Sequence, residues 1–271
     1  MIKQAIIPLA GLGTRLLPLT SVFAKELLPI SGRPGLEYIL DECIEAGIKE
    51  IVFIISSKKL MIKKYFYSDQ FYKKIIKKKK DLRIINEYMK ILKYKKKIKF
   101  VFQNIPKGTG DAVLKTQKYI KNKYFLMLLP DDLIIRKNCS KEMIRLHKKT
   151  NGSIIATKRV ERKTVSRWGI LSIKNKKKRH FQIKDVVEKP SIKKAPSNFA
   201  IIGRYILPTK IFGEIKKLKP GQGGEIHITD AIRSLIKKEN KFYGNIFTGK
   251  YLDCGTLRGY INSSIEIFKG K

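Results

Sequence analysis

Apolar and polar positions follow two different periods along this chain, and the switches between them mark the expected elements. The run from Ala5 to Leu9 has no polar break and reads as a strand buried on both faces. Ile51–Ile55, Ile98–Phe102 and Tyr124–Leu129 read as further strands. Between the first two, Leu36, Ile39, Leu40, Cys43 and Ile44 recur at helical spacing, with Asp41, Glu42 and Glu45 opposite them and Gly47 as the stop. Gly110–Ile120 is a second such helix. Residues 58–97 form a lysine-rich helical excursion at the surface, its Tyr and Phe side chains turned to the core. After about residue 150 the strands shorten, at Ile154–Thr157, Ile170–Ile173 and Phe181–Val187, with a turn at Asn175-Lys176-Lys177-Lys178. Helices at Asp230–Lys237 and Leu257–Phe268 close the chain, the second with Leu257, Ile261, Ile265 and Phe268 as its apolar face. This alternation predicts an α/β fold: Rossmann-like, with a mostly parallel central sheet, helices on both faces and a smaller strand-rich lobe. Residues 1–271 are expected to form one continuous domain, with a cleft between parts of about 1–135 and 136–271.

Composition narrows the class. At 43% hydrophobic and 30% charged, the 271 residues are globular rather than disordered. Sixty Lys and Arg against 22 Asp and Glu give a net charge of +38. Such a charge can serve a nucleic acid or an anionic surface, and it permits nonspecific nucleic-acid binding at low salt. The excess sits in runs such as Lys77-Lys78-Lys79-Lys80 and Lys95-Lys96-Lys97, and AT-rich codon bias explains it more simply. Cys43, Cys139 and Cys254 lack metal-ligand spacing and suit a reducing, cytoplasmic setting. No segment reaches the roughly 20 apolar residues of a membrane span, so no membrane partner is expected.

Candidate chemistry concentrates where strands end. Behind the first strand stand Gly11, Gly13, Thr14 and Arg15, then Lys25. A glycine turn exposes backbone N–H groups to a phosphate, Arg15 adds a planar fork and Lys25 a point charge. No Gly-Lys-Ser/Thr closes this turn into a P-loop, and Leu16 takes the third glycine position of a dinucleotide fingerprint. Taken alone, Gly-x-Gly reads equally well as a tight turn. Gln103-Asn-Ile-Pro-Lys-Gly-Thr-Gly-Asp111 lies between a strand and a helix, where an amide can read a pyrimidine edge or the loop can simply turn. Asp131 and Asp132 follow an apolar strand and suit either an oxygen-liganded Mg²⁺ or a solvated turn.

The string Gly-Leu-Gly-Thr-Arg-Leu-Leu-Pro, followed by Lys25-Glu26-Leu27-Leu28-Pro29, resembles the signature of the sugar-phosphate nucleotidylyltransferases. Val187-Glu188-Lys189-Pro190, Trp168-Gly169, Ala200–Tyr205 and Gly224–Ile232 are similar to further blocks of that family, in its order. The likeness is greatest to members that act on UTP and glucose 1-phosphate. It implies a Mg²⁺-dependent transfer of UMP to glucose 1-phosphate, giving UDP-glucose and pyrophosphate, by direct in-line attack. It further implies that Arg15, Lys25 and Lys189 are catalytic. Ala10, Gly11, Gly13, Thr14, Glu26, Gln103 and Gly108 would bind nucleotide. Gly169, Glu188, Lys189 and Gly203, in a sugar-binding lobe, would bind sugar, and Asp131 and Asp253 would hold the metal. A homo-oligomer is expected. Alternatives are a glucose-1-phosphate thymidylyltransferase and, from another class, a non-catalytic basic RNA-binding or regulatory paralogue. Trp168 stands where tyrosine is more usual. The histidines at 147, 180 and 227 are scattered and read as surface or packing residues.

Overall fold

Strand β1 (Gln4–Pro8) lies inside one large sheet, as its unbroken apolar run requires. A computed structural model describes residues 2–177, 179–238 and 240–270. After β1 come a short hairpin, β2 (Pro29–Ile30) and β3 (Arg33–Pro34), then α1 (Gly35–Glu45) and β4 (Glu50–Ile55). Helices α2 (Leu60–Phe66), α3 (Asp69–Lys79) and α4 (Leu82–Lys95) precede β5 (Ile98–Phe102), α5 (Gly108–Leu114) and β6 (Tyr124–Leu128). The second half runs β7 (Asp132–Ile135), α6 (Cys139–Thr150), β8 (Ser153–Arg159), β9 (Gly169–Lys177), β10 (His180–Glu188) and β11 (Phe199–Pro208). It ends with α7 (Ile211–Ile215), α8 (Ile228–Lys237), β12 (Phe242–Ile246), β13 (Lys250–Asp253) and α9 (Leu257–Lys269).

Among the described residues the main sheet has nine strands, in the order β5-β4-β1-β6-β11-β8-β12-β10-β9. Parallel pairing joins β5, β4, β1 and β6, each reached through a helical crossover. Beyond β6 the pairing turns largely antiparallel: β11 runs against both β6 and β8, and β10 against β12 and β9. Only β8 with β12 is parallel there. The parallel character expected of the central sheet thus belongs to its first half, and the strand-rich part, expected as a smaller lobe, continues the same sheet. Hydrophobic layers cover both faces. Ala5, Ile7 and Leu9 point into one with α1, α6 and α9, and Ile6 into the other with α5, α7 and α8.

Four local expectations change. Glu42 does not share the solvent face of α1; it is buried, for a reason that lies in the site below. The Asn175–Lys178 turn is displaced, because β9 continues through Lys177, and residue 178 lies outside the described residues. In the 58–97 excursion, Phe66 and Tyr94 are buried as expected, but Tyr67 and Phe71 are exposed. Helix α9 turns its apolar stripe outward: Leu257, Ile261, Ile265 and Phe268 are 47–72% exposed. It docks instead through Ser263 and Ile267. Ser263 Oγ donates to Gly259 O at 2.7 Å and to Asp253 O at 3.4 Å, which makes a small polar side chain the one that fits there.

Phe181 and Gly244 face each other across the β10–β12 ladder, and a Cβ at 244 would fall inside the buried Phe181 ring. Gly244→Ala is therefore expected to cost about 1–3 kcal/mol through overpacking. Urea denaturation checks this; an unchanged midpoint would show that the ring has room to move.

Candidate active site

Every catalytic, binding or metal candidate named from the sequence lines one cavity of about 890 Å³, open at the carboxyl ends of the parallel strands. Its floor begins where β1 stops. Leu9 N still donates to Ile54 O, after which Ala10 and Gly11 pass along the wall. Gly13 takes a left-handed φ of 73°, which turns the chain into the short helical turn Thr14–Leu16 and leaves Arg15 exposed. A second such turn, Lys25–Leu27, brings Lys25 across to the Asp131 carboxylate, with Arg15 3.5 Å from the same oxygen.

The two acids meet because of a strand pairing. In the β13–β7 ladder Asp253 stands opposite Asp132, and Cys254 N donates to Asp131 O at 2.7 Å. Gly255 follows, its N–H donating to Asp253 Oδ1 at 2.9 Å. The point where a Cβ on Gly255 would sit is 3.2 Å from oxygens of both Asp131 and Asp253 and 2.7 Å from the Arg15 guanidinium. Two carboxylates facing one point suit a Mg²⁺ ion that takes its other ligands from phosphate and water. Among the described residues no group of three or more His, Cys, Asp or Glu is arranged for a metal. Two carboxylates are too few to hold such an ion alone, so phosphate and water would have to complete its shell.

The turn that carries Asp131 is held from behind by Arg204. This side chain is fully buried on β11, yet each of its nitrogens donates. Nη1 reaches Leu129 O (3.1 Å) and Gly203 O (3.0 Å), and Nη2 reaches Asp132 O (2.7 Å). Nε and Nη2 grip the Glu42 carboxylate at 2.9–3.1 Å. Burial works against the Arg204 charge, but Glu42 more than offsets this and the guanidinium titrates above its usual range. Asp132, beside Asp131, accepts from Gly203 N (3.0 Å) and from Tyr251 OH (2.6 Å). Burial pushes its carboxyl above the usual range. Of the two neighbouring acids, Asp132 secures the fold and Asp131 faces the cavity next to Lys25. Gly203 has to be glycine, since a Cβ would come within 2.5 Å of both Leu129 and the Asp132 carboxylate.

At one end of the cavity are Gln103 and Gly108. A Cβ on Gly108 would lie 2.6 Å from Ile226 O, so the bare glycine is what admits the Glu225-Ile226 segment. At the other end, β9 and β10 set Glu188 opposite Gly169, with the Glu188 carboxylate 3.2 Å from where a Gly169 Cβ would be. Lys189 has a φ of 42°, seldom adopted by residues other than glycine, and its N–H donates to Trp168 O at 3.0 Å. Trp168 packs edge-on against Tyr251, ring centres 6.1 Å apart.

Sequence reasoning missed several contributors. Lys59 is buried and donates to both Glu26 oxygens at 2.8 Å, although it sits in a run that reads as surface lysine. Burial raises the Glu26 pKa and lowers that of Lys59, and their mutual attraction opposes both shifts. Arg167 lines the cavity 3.8 Å from Asp253. Arg204 did carry a signal: a lone arginine inside the apolar strand Phe199–Pro208 must be paired, because an unpaired buried charge is prohibitive.

A sequence profile described as Nucleotidyl transferase matches residues 4–269. UTP–glucose-1-phosphate uridylyltransferase 1 of Streptococcus pyogenes serotype M1 is 36% identical over 274 residues, covering 98% of this chain and 88% of that protein. A crystal structure of UDP-glucose pyrophosphorylase complexed with UDP-glucose is similar with a TM-score of 0.88 at 35% identity, covering 100% of both chains. A UTP-bound UGPase from Acinetobacter baumannii gives a TM-score of 0.88 at 30% identity, covering 98% of this chain and 93% of that one.

Removing one member of the buried pair should be costly. Arg204→Met is expected to destabilise the fold by about 3–5 kcal/mol, with much of the loss recovered when Glu42 is replaced by Leu in the same chain. Chemical denaturation of the single and double variants tests this; additive losses would argue that the pair is not coupled.

Proposed function

The chain belongs to the nucleotidyl transferase family, and we propose that it transfers UMP from UTP to α-D-glucose 1-phosphate, releasing pyrophosphate. The observation that supports this most is the convergence of Arg15, Lys25, Asp131, Lys189 and Asp253, drawn from distant stretches, on a single cavity.

An oxygen of the sugar phosphate forms a bond to the α-phosphorus of UTP in line with the bond that breaks. The electron pair of the broken P–O bond leaves with pyrophosphate. The attacking oxygen is already an anion, so no protein nucleophile or base is required. Repulsion is the main obstacle. Two unit charges about 4 Å apart interact by about 4 kcal/mol at an effective dielectric of about 20. A phosphate monoester carries roughly −1.5 to −2 charges at neutral pH and the α-phosphate of UTP about −1, so the two repel by about 6–8 kcal/mol at that distance.

The chain's own residues would lower that barrier by neutralising charge and by alignment. Arg15 draws charge from the leaving β- and γ-phosphates. Lys25, paired with Asp131 in the free protein, exchanges that partner for the α-phosphate. Lys189 holds the incoming phosphate, and Glu188 accepts hydrogen bonds from sugar hydroxyls across Gly169. Asp131 and Asp253 would hold a Mg²⁺ ion, which would supply positive charge to offset that of the phosphates.

Purified chain supplied with UTP, glucose 1-phosphate and Mg²⁺ is expected to release pyrophosphate. Lys189→Ala should lower kcat/KM for glucose 1-phosphate by roughly 10²–10³-fold, the usual scale for losing one well-placed charge-stabilising donor. The affinity for UTP should change far less. Near-normal turnover of glucose 1-phosphate by that variant would remove Lys189 from the reaction, and no pyrophosphate from the unaltered chain would sink the proposal as a whole.

A further inference from the structure

Gln103 directly follows β5 and lines the cavity, with its backbone N–H on Ile55 O at 2.8 Å. Its side-chain amide is committed. Nε2 donates to Asp111 Oδ2 at 2.7 Å and to Gly108 O at 3.2 Å. An amide nitrogen has two protons, so both are spent, and they are spent on groups that accept but do not donate. Turning the amide over would set its oxygen against a carboxylate and a carbonyl at once. The orientation is therefore fixed by the neighbours, and the function left over is Oε1. Among the described residues no hydrogen bond reaches Oε1. Asp111 itself sits in the first turn of α5, behind Gln103 and not among the residues that line the cavity, with Lys115 Nζ 4.0 Å away.

We infer that Asp111 is a positioning residue that sets base choice. By locking Gln103 it presents a pure acceptor to the cavity, which admits a pyrimidine bearing an N–H at ring position 3 and rejects one with a lone pair there. Uracil and thymine have that N–H. Cytosine has a lone pair at N3, and an oxygen facing it is repulsive. A free glutamine would serve both bases, because its amide could turn and donate to N3. The carboxylate of Asp111 removes that freedom, and a site whose polar groups cannot be satisfied by the wrong base discriminates strongly. This inference rests on the base site proposed above, with the pyrimidine lying against Gln103.

The test compares the unaltered chain with Asp111→Leu and Asp111→Asn. Calorimetry measures binding of UDP-glucose and CDP-glucose, and steady-state kinetics measures kcat/KM with UTP, dTTP and CTP. Asp111→Leu is expected to lower the UTP-to-CTP ratio of kcat/KM at least tenfold, with the change for UTP appearing in KM. The calorimetric preference for UDP-glucose over CDP-glucose should narrow in parallel. Asp111→Asn should fall between, since its side-chain carbonyl can still accept from Gln103. The UTP-to-dTTP ratio should not move, because both bases carry the same N–H. Equal losses for UTP and CTP, with the ratio intact, would overturn the inference and leave Asp111 as a packing residue. If the unaltered chain binds neither nucleotide sugar, the base site itself falls, and the inference with it.

Discussion

A buried guanidinium, Arg204, is the constraint around which this molecule is arranged. Its charge is tolerable only because Glu42 meets it face on and three backbone carbonyls take its remaining protons. Those carbonyls belong to Leu129, Gly203 and Asp132, so satisfying the arginine fixes both shoulders of the turn on which Asp131 stands. Glu42 in turn accepts from Ser140 N and Oγ, tying α1 to α6. One ion pair thus links two helices, the central antiparallel strand and the acid at the heart of the cavity. The pairing of β13 with β7 then delivers Asp253 beside that acid.

Much of this was legible in the sequence, for identifiable reasons. Strands β1, β4 and β6 are buried on both faces, so their apolar runs announce them; β5 lies half-buried at the sheet edge, and the glycine-containing segments after β1 and β5 mark where the sheet opens. The residues that line the cavity were legible as candidates because they lie in contiguous strings: Gly11 to Lys25, Gln103 to Gly108, Glu188-Lys189. What stayed hidden depends on partners far away along the chain. Glu42 looks like one more acid on a polar helix face until Arg204, 162 residues later, is folded against it. Lys59 looks like its neighbour Lys58 until Glu26 is beside it. The reversal of sheet direction at β11 has no local signature, because an apolar strand reads the same in either orientation.

Electrostatics within the fold is local despite the large net charge. Acids are scarce, and the buried ones are each used against specific partners. Glu37 accepts from Arg33 at 3.0 Å, from Lys90 at 2.5 Å and from Tyr65 at 2.5 Å. Glu26 holds Lys59, Glu42 holds Arg204, and Glu214 takes Ser234 and Lys238. Hydrogen bonds from Lys238 and Ser234 hold the Glu214 carboxyl down at about 2. Most of the surplus lysines lie outside such pairs, so the positive field surrounds the core without organising it. Around the cavity the balance is different. Lys25 and Arg15 stand on Asp131, and Arg167 stands near Asp253, so these two acids are each matched by a base.

Helix α9 begins four residues after Asp253 and is stitched back onto it. Ser263 Oγ lies 3.4 Å from Asp253 O, and Gly259 packs so closely on the same carbonyl that no side chain would fit. Tyr260 OH donates to Pro29 O at 2.6 Å, and Ser264 Oγ accepts from Ser31 N at 2.9 Å, so the helix also grips the hairpin that follows Lys25. Mechanically, α9 is a splint: one rigid rod bridges the segment bearing an acid and the segment bearing a base. A load applied to its outward apolar ridge would be felt at both ends of that bridge, some way from where it was applied.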